Sequence, residues 1–172
     1  GGLALMFLLG LTGSIGMGNS TTATLFADAG CGVWDADAAV HRLYAKGGAA
    51  VPHFQEAFPE AVVDGAVSRP ALKDIILRDP DALKKIESIV HPLVGLDRAT
   101  FLEAADSEIF VLDIPLLFET GGEGKVNGVA CVIVDDETQK KRVMERGTMT
   151  EAQFEAIRAK QMPAAEKAAR SD

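Results

Sequence analysis

A glycine-rich segment directly after an apolar run constrains the fold of this chain more than any other feature. The run spans residues 3–9, a strand is predicted over residues 5–11, and the segment Gly13–Ser20 reads GSIGMGNS. It fits the pattern G-x-x-x-x-G-K-[ST] except at the lysine position, which Asn19 occupies. Glycines let backbone N–H groups converge, and the helix predicted over residues 20–29 adds its own unpaired N–H groups. The segment therefore predicts an anion-binding loop between a strand and a helix.

The loop can supply one of two kinds of phosphate contact, the backbone N–H groups, but not the charge of a lysine side chain. Backbone N–H groups do not depend on the missing lysine, whereas its positive charge cannot be replaced by the shorter, neutral Asn19. The hydroxyl of Ser20 is of the kind that holds Mg²⁺. A dinucleotide fingerprint would need glycine where Thr21 stands, and a glycine-rich turn without any ligand is the structural alternative. The predicted nucleotide-binding set is Gly13, Ser14, Ile15, Gly16, Met17, Gly18, Asn19, Ser20 and Thr21.

The remaining pattern predicts an α/β fold with a parallel sheet. Further strands are predicted over residues 32–35, 109–113 and 128–134. Residues 37–106 are interpreted as successive helices punctuated by prolines, with no strand among them. The pair His91-Pro92 is interpreted as a helix stop with a hydrogen-bonded imidazole ring.

Charge and apolar patterning exclude several classes of protein. The net charge of −8 disfavours a general nucleic-acid binder, although residues 139–172 carry more basic than acidic side chains and suit a small polyanion. Helices are predicted there over residues 139–146 and 151–160. The run at residues 3–9 is too short to span a membrane and lacks a basic leader, which indicates a cytoplasmic protein. Two distant cysteines, Cys31 and Cys131, indicate reduced, mostly buried thiols rather than a disulfide framework or zinc site.

Five segments of the chain resemble one known family. They are GLTGSIGMGNST, VWDADAAVHRLY, IVHPLV, VLDIPLLFETG and QMPAAEKAARSD, and in this order and spacing they resemble dephospho-coenzyme A kinase. The resemblance implies a cytoplasmic transferase of coenzyme A biosynthesis that moves the ATP γ-phosphate to the 3′-hydroxyl of dephospho-CoA with Mg²⁺. It implies a P-loop NTPase-type three-layer fold, with residues 1–36 and 107–138 as the nucleotide-binding core. Residues 37–106 would be a helical CoA-binding lobe, and residues 139–170 a helical lid.

The resemblance also assigns roles to single residues. Asp37 matches the family's proposed general base, and Asp35 would orient it or the metal waters. The structural alternative for this pair is two solvated acids at the end of a strand, one of which caps the following helix. Asp113 would join Ser20 in holding Mg²⁺. The acceptor would meet His91 and the wall formed by Leu116, Leu117 and Phe118. Arg142, as a catalytic group, with Arg146 and Arg158 would close on the phosphates from the lid. The alternative for the leucines is a purely structural role in the core. The alternative for each arginine is a position on a solvated charged surface.

Three functions remain open from the sequence. The first is a dephospho-CoA kinase impaired by Asn19, and the second is a non-catalytic homologue that binds nucleotide or CoA. The third is another small-molecule kinase, such as a nucleoside monophosphate kinase, against which DIPLLFE argues. The expected partners are ATP and dephospho-CoA, not nucleic acid or membrane, in a monomer or small homo-oligomer. The resemblance also implies a further strand and helix beyond Asp172.

Overall fold

A computed structural model describes residues 6–13, 19–105, 107–133, 136–147 and 149–172, apart from the side chains of residues 19, 20 and 136. The chain divides into two compact units. The first unit combines residues 1–35 with residues 105–172, and the second unit is residues 36–104. These boundaries follow the change from strand to helix pattern along the chain.

The first unit contains the strands of the parallel sheet, and helices dominate the second unit. The strands are β1 (Phe7–Thr12), β2 (Gly32–Asp35), β3 (Val62–Val63), β4 (Ala66–Val67), β5 (Ile109–Asp113) and β6 (Gly128–Cys131). The helices are α1 (Asn19–Asp28), α2 (Ala36–Tyr44), α3 (Val51–Ala57), α4 (Arg69–Arg78), α5 (Ala82–Ala104), α6 (Asp136–Arg146), α7 (Glu151–Lys160) and α8 (Ala164–Arg170). Short 3₁₀ turns cover Pro59–Ala61 and Gly122–Lys125. The predicted α/β class with a parallel sheet is confirmed.

The sheet of the first unit runs in the order β2-β5-β1-β6, and its paired strands are parallel. The loop-bearing strand β1 lies between β5 and β6. Because parallel strands end at the same edge of a sheet, the residues that end these four strands lie along one edge. They are Thr12, Asp35, Asp113 and Cys131. The sheet core includes Leu11 and Val111, both fully buried. This edge is where ligands bind in open parallel sheets.

The end of the chain continues the hydrogen bonding of the sheet beyond β6. The amide of Asp172 donates to the carbonyl of Val129 at 3.0 Å. In return the Val129 amide donates to the Asp172 carboxylate at 2.9 Å. Residue 172 therefore lies against the edge of β6.

A β-hairpin in the second unit contradicts the expectation that residues 37–106 contain no strand. β3 and β4 pair antiparallel, with Val62 opposite Val67. Asp64 and Gly65 form the two-residue turn with φ of 52° and 79°. Two positive φ values are typical of the tight turn that Asp-Gly favours between apolar residues. The VVDGAV pattern carries this signal, so the hairpin was predictable from sequence.

Helix α5 contradicts the interpretation of His91-Pro92 as a helix stop. The helix runs from Ala82 to Ala104 with Pro92 inside it. Proline removes one backbone N–H and crowds the preceding turn, but it need not end a helix whose apolar face is buried. Ile86 and Val90 supply that face in the core around the fully buried Phe54. The ring of His91 is exposed and makes no hydrogen bond within the described ranges, so that expectation was also wrong.

Candidate active site

Two aspartates lie at the edge of the sheet where the parallel strands end. Asp35 and Asp113 are the last residues of β2 and β5 and are register partners. Adjacent strands lie roughly 4.8 Å apart, so both side chains belong to one local site. Asp113 is buried, with 5% of its surface exposed, and Asp35 is partly exposed. Two close carboxylates repel each other, and this favours a cation or hydrogen-bond donors beside them.

The glycine-rich segment follows the neighbouring strand at the same edge. β1 ends at Thr12, Gly13 is buried, and α1 begins at Asn19. The geometry therefore agrees with the strand–loop–helix context that phosphate loops require. Ser14, Ile15, Gly16, Met17 and Gly18, with the side chains of Asn19 and Ser20, lie outside the described residues. Thr21 is exposed on the first turn of α1.

The residues of the edge fit a divalent cation in their chemistry. Mg²⁺ prefers oxygen ligands and is often held by one or two carboxylates with phosphate and water completing its shell. Asp35 and Asp113 supply such oxygens. Within the described residues no group of three or more His, Cys, Asp or Glu forms a metal cluster.

The second unit carries two of the residues assigned by resemblance. Asp37 lies in the first turn of α2, where its carboxylate is exposed. A carboxylate there also complements the positive end of the helix dipole, so its position has a structural role as well. Arg42, later on α2, forms an ion pair with Asp97 of α5 at 2.6 Å. His91 lies exposed within α5.

The three apolar residues after β5 differ in exposure. Leu116 is 41% exposed, whereas Leu117 and Phe118 are buried in a core with Val129. Leu117 fits between two glycines, because a Cβ on Gly10 would lie 2.9 Å from its Cδ2 and a Cβ on Gly122 2.8 Å from its Cδ1. This packing agrees with the structural alternative for Leu117. Leu116 has the surface needed for contact with a ligand.

The three arginines assigned to the lid lie on the helices α6 and α7. Arg142 and Arg146 are exposed on α6 and form no ion pair within the described parts of the chain. Arg158 of α7 pairs with Glu155 at 2.7 Å and stacks 5.0 Å from the centre of the Phe154 ring. Such partly exposed ion pairs contribute at most about 1 kcal/mol to stability. Arg158 can therefore exchange Glu155 for another partner at a small cost in free energy.

Sequence reasoning missed a buried cation near this edge. Lys167 of α8 is fully buried, donates to the Pro115 carbonyl at 3.0 Å and pairs with Glu119 at 2.9 Å. Thr12 donates its hydroxyl to the same carbonyl at 2.9 Å. The only signal was the EKAAR stretch inside a resembling segment, and a lysine there is usually a solvated side chain.

Comparison with known proteins assigns the chain to a family. Residues 7–172 match the family model for dephospho-CoA kinase (CoaE). A dephospho-CoA kinase of Ruegeria pomeroyi is 69% identical over 166 residues, covering 96% of this chain and 84% of the relative. The chain belongs to the dephospho-CoA kinase family. A dephospho-CoA kinase of Cereibacter sphaeroides is 58% identical over 165 residues, again covering 96% and 84%.

Solved structures support the same fold for this dephospho-CoA kinase family member. The crystal structure of TT1252 from Thermus thermophilus is similar with a TM-score of 0.87 and 36% identity, covering 96% of this chain and 85% of that one. A dephospho-CoA kinase from Campylobacter jejuni has a TM-score of 0.62 at 21% identity, covering 98% and 87%, and supports the fold alone. The resemblance predicted from five segments is confirmed.

No helix among the described residues is long and apolar enough to cross a membrane.

Proposed function

We propose that this protein catalyses the ATP-dependent phosphorylation of the 3′-hydroxyl of dephospho-CoA. The observation that carries the proposal is the match of residues 7–172 to the dephospho-CoA kinase family. The arrangement of Asp35 and Asp113 beside the strand that enters the glycine-rich loop supports it. Phosphoryl transfer needs positioning and charge stabilisation more than covalent chemistry, and this edge offers groups of both kinds.

The proposed division of labour follows from the chemistry of each group. Backbone N–H groups of residues 13–21 would hold the phosphates, and the Asp37 carboxylate would accept the proton of the ribose hydroxyl. Asp113 and the hydroxyl of Ser20 would hold Mg²⁺, which supplies charge neutralisation on the phosphate oxygens. Asp35 would orient its water ligands. Arg142, Arg146 and Arg158 would bind phosphate oxygens from the lid. His91 and the segment Leu116–Phe118 would contact the acceptor.

A second function is favoured by one specific residue, Asn19. Its neutral side chain supplies no positive charge where the γ-phosphate gains and redistributes charge. A homologue that binds nucleotide or CoA without phosphoryl transfer would keep the backbone nest and lose the reaction. Calorimetry with Mg-ADP and with dephospho-CoA, set beside a turnover assay, separates the two functions. Binding of both ligands without turnover would favour the binding protein.

The test of the kinase function measures ADP formation from ATP and dephospho-CoA with Mg²⁺. The product should carry a new phosphomonoester at the 3′ position, which ³¹P NMR identifies. An acceptor lacking the 3′-hydroxyl is the matched control and should give no turnover above the background ATPase rate. Faster turnover with a nucleoside monophosphate than with dephospho-CoA would contradict the proposed acceptor.

The proposed setting follows from the proposed substrates. ATP and dephospho-CoA are water-soluble anions, and the excess of basic side chains in residues 139–172 suits them. We place the reaction in the cytoplasm, in a monomer or small homo-oligomer, with neither nucleic acid nor membrane as a partner. Sedimentation with and without the two substrates would establish the assembly.

A further inference from the structure

Lys167 is fully buried, which is rare for a lysine side chain. Its Nζ contacts two groups, the Pro115 carbonyl at 3.0 Å and the Glu119 carboxylate at 2.9 Å. Both groups belong to the segment that follows β5. The same Glu119 oxygen also accepts from the amide of Met162 at 3.3 Å. The buried ammonium group of Lys167 therefore links α8 to the segment that begins at residue 114.

The Pro115 carbonyl links Lys167 to the loop-bearing strand. A carbonyl oxygen has two lone pairs, and here the second donor is the hydroxyl of Thr12, at 2.9 Å. Thr12 ends β1 and directly precedes Gly13. A nearby backbone bond, from the Ile114 amide to the Leu11 carbonyl at 2.9 Å, runs between the same two segments. One carbonyl thus ties together α8, the end of β1 and the segment after β5.

The energetics of a buried ion pair argue for a role in geometry. Desolvation of two charges cancels much of their attraction, and apolar replacements of a whole buried pair are often neutral or stabilising. An apolar side chain would fill the same space, yet it would leave the Pro115 carbonyl with one donor. The specific property of Lys167 is that its ammonium donates to Pro115 and Glu119 at the same time.

We propose that Lys167 is a positioning residue for the acceptor, because it fixes the segment that presents Leu116. This inference rests on the proposed function, in which Leu116–Phe118 contact dephospho-CoA. Leu116 directly follows Pro115, whose carbonyl accepts two hydrogen bonds. It is also the exposed one of the three apolar residues. A shift of the carbonyl would move Leu116 directly, whereas it would reach the end of β1 only through the hydroxyl of Thr12. Lys167 should therefore affect acceptor binding more than nucleotide binding.

The decisive variant is Lys167→Met combined with Glu119→Gln. The single change Lys167→Met leaves a buried carboxylate without its cation and is expected to be unstable. The double variant removes that unpaired charge, so it should melt close to the parent protein. Its Kd for dephospho-CoA should nevertheless rise at least about fivefold, the scale of one lost hydrogen bond. Its Kd for Mg-ADP should change less than twofold.

Two further variants make the test specific. Glu166→Gln is the matched control, because Glu166 lies exposed in the first turn of the same helix, one residue before Lys167. It should change neither Kd. Thr12→Val removes the other donor to Pro115 with little change of shape and should weaken dephospho-CoA binding as well. The effects of Thr12→Val and the double variant should be non-additive, because both act on one carbonyl.

Amide hydrogen exchange gives a readout that needs no substrate. The amides of Ile114, Leu117 and Gly122 are hydrogen-bonded within or beside the segment. In the double variant they should exchange faster, while amides of β1 and β5 stay protected. Unchanged exchange, or equal weakening of dephospho-CoA and Mg-ADP, would overturn the inference. If the parent protein does not bind dephospho-CoA at all, the proposed function fails, and exchange alone then decides whether Lys167 holds the segment.

Discussion

Asp35 and Asp113 stand opposite each other at the ends of the adjacent parallel strands β2 and β5. The next strand in the sheet, β1, leads through Thr12 into the glycine-rich loop. The two carboxylates therefore lie beside the place where a nucleotide's phosphates would bind. Their proximity is a property of the sheet register, since 77 intervening residues separate them in the chain.

The first prediction concerns the metal dependence of this edge. Asp113→Asn should raise the Mg²⁺ concentration needed for half-maximal turnover by about 10–100-fold, because it removes one of the two oxygen groups proposed to hold Mg²⁺. The measurement is a Mg²⁺ titration of the rate at saturating ATP. Asp28→Asn, an exposed acid at the end of α1, is the control and should leave the titration unchanged. Equal titrations for both variants would remove Asp113 from the metal site.

The second prediction concerns the residue that replaces the phosphate-loop lysine. Asn19→Lys should raise kcat with ATP and dephospho-CoA by at least about 10², the scale of one preorganised charge contact in the transition state. The affinity for Mg-ADP should change much less, because backbone N–H groups supply most ground-state contacts. Rates and affinities are compared at the same metal and substrate concentrations.

Asn19→Gln is the matched control for this change, because it lengthens the side chain without adding a charge. It should recover little activity. A rescue below threefold by Asn19→Lys, with both proteins inactive, would place the defect elsewhere and favour the non-catalytic binding function. An arginine of the lid that already fills the charge deficit would reduce the rescue but leave the parent protein active.

The third prediction concerns the proposed general base. Asp37→Asn should lower kcat by about 10²–10⁴ while changing the Kd for dephospho-CoA little, because a base acts in the transition state. Steady-state kinetics with calorimetry of the acceptor give both quantities. Glu56→Gln, an exposed acid elsewhere in the second unit, controls for the loss of one negative charge. An unchanged kcat in Asp37→Asn would exclude it as the base.

The fourth prediction concerns two glycines of the second unit. Gly65 has φ of 79° in the hairpin turn, so Gly65→Ala should lower the free energy of unfolding by about 1–2 kcal/mol. Gly95 lies inside α5 with open space around it, so Gly95→Ala should raise stability by up to about 1 kcal/mol. Urea denaturation of the two variants tests the opposite signs. A stabilising effect of Gly65→Ala would contradict the turn geometry, and a destabilising effect of Gly95→Ala would contradict the open space around Gly95.

The fifth prediction concerns the thiol at the end of β6. Burial raises the pKa of Cys131, while a hydrogen bond with Ser171 and the charge of Lys167 act in the opposite direction. At neutral pH the side chain is therefore the unreactive thiol. Alkylation by iodoacetamide should stay slow until the pH passes above the range of an exposed thiol. The raised pKa also means that its stabilising contribution is present at low pH and is lost as the pH rises through the folded-state pKa.

Cys131→Ser identifies the alkylated site in the mass spectrum. Rapid modification of Cys131 at pH 7 would contradict the raised pKa.

The sequence by itself determined the elements that depend on local pattern. The strand Gly32–Asp35, the strand Ile109–Asp113 and the helix Glu151–Lys160 follow from apolar runs and turn residues, and the family follows from motif order. The hairpin at Asp64-Gly65 was equally local and was missed because the stretch around it is helical. Pro92 was misjudged because local propensity yields to burial of the apolar face of α5.

Only the tertiary structure decided which distant groups meet. The register of parallel strands brings Asp35 beside Asp113, and this register depends on the pairing of β2 with β5 rather than on either strand alone. The burial of Lys167 also depends on the tertiary structure, because its charge is tolerated only where Pro115 and Glu119 compensate for the lost hydration. A sequence specifies the character of each segment through short-range periodicity, whereas the environment of a side chain depends on segments that pack against it from elsewhere in the chain.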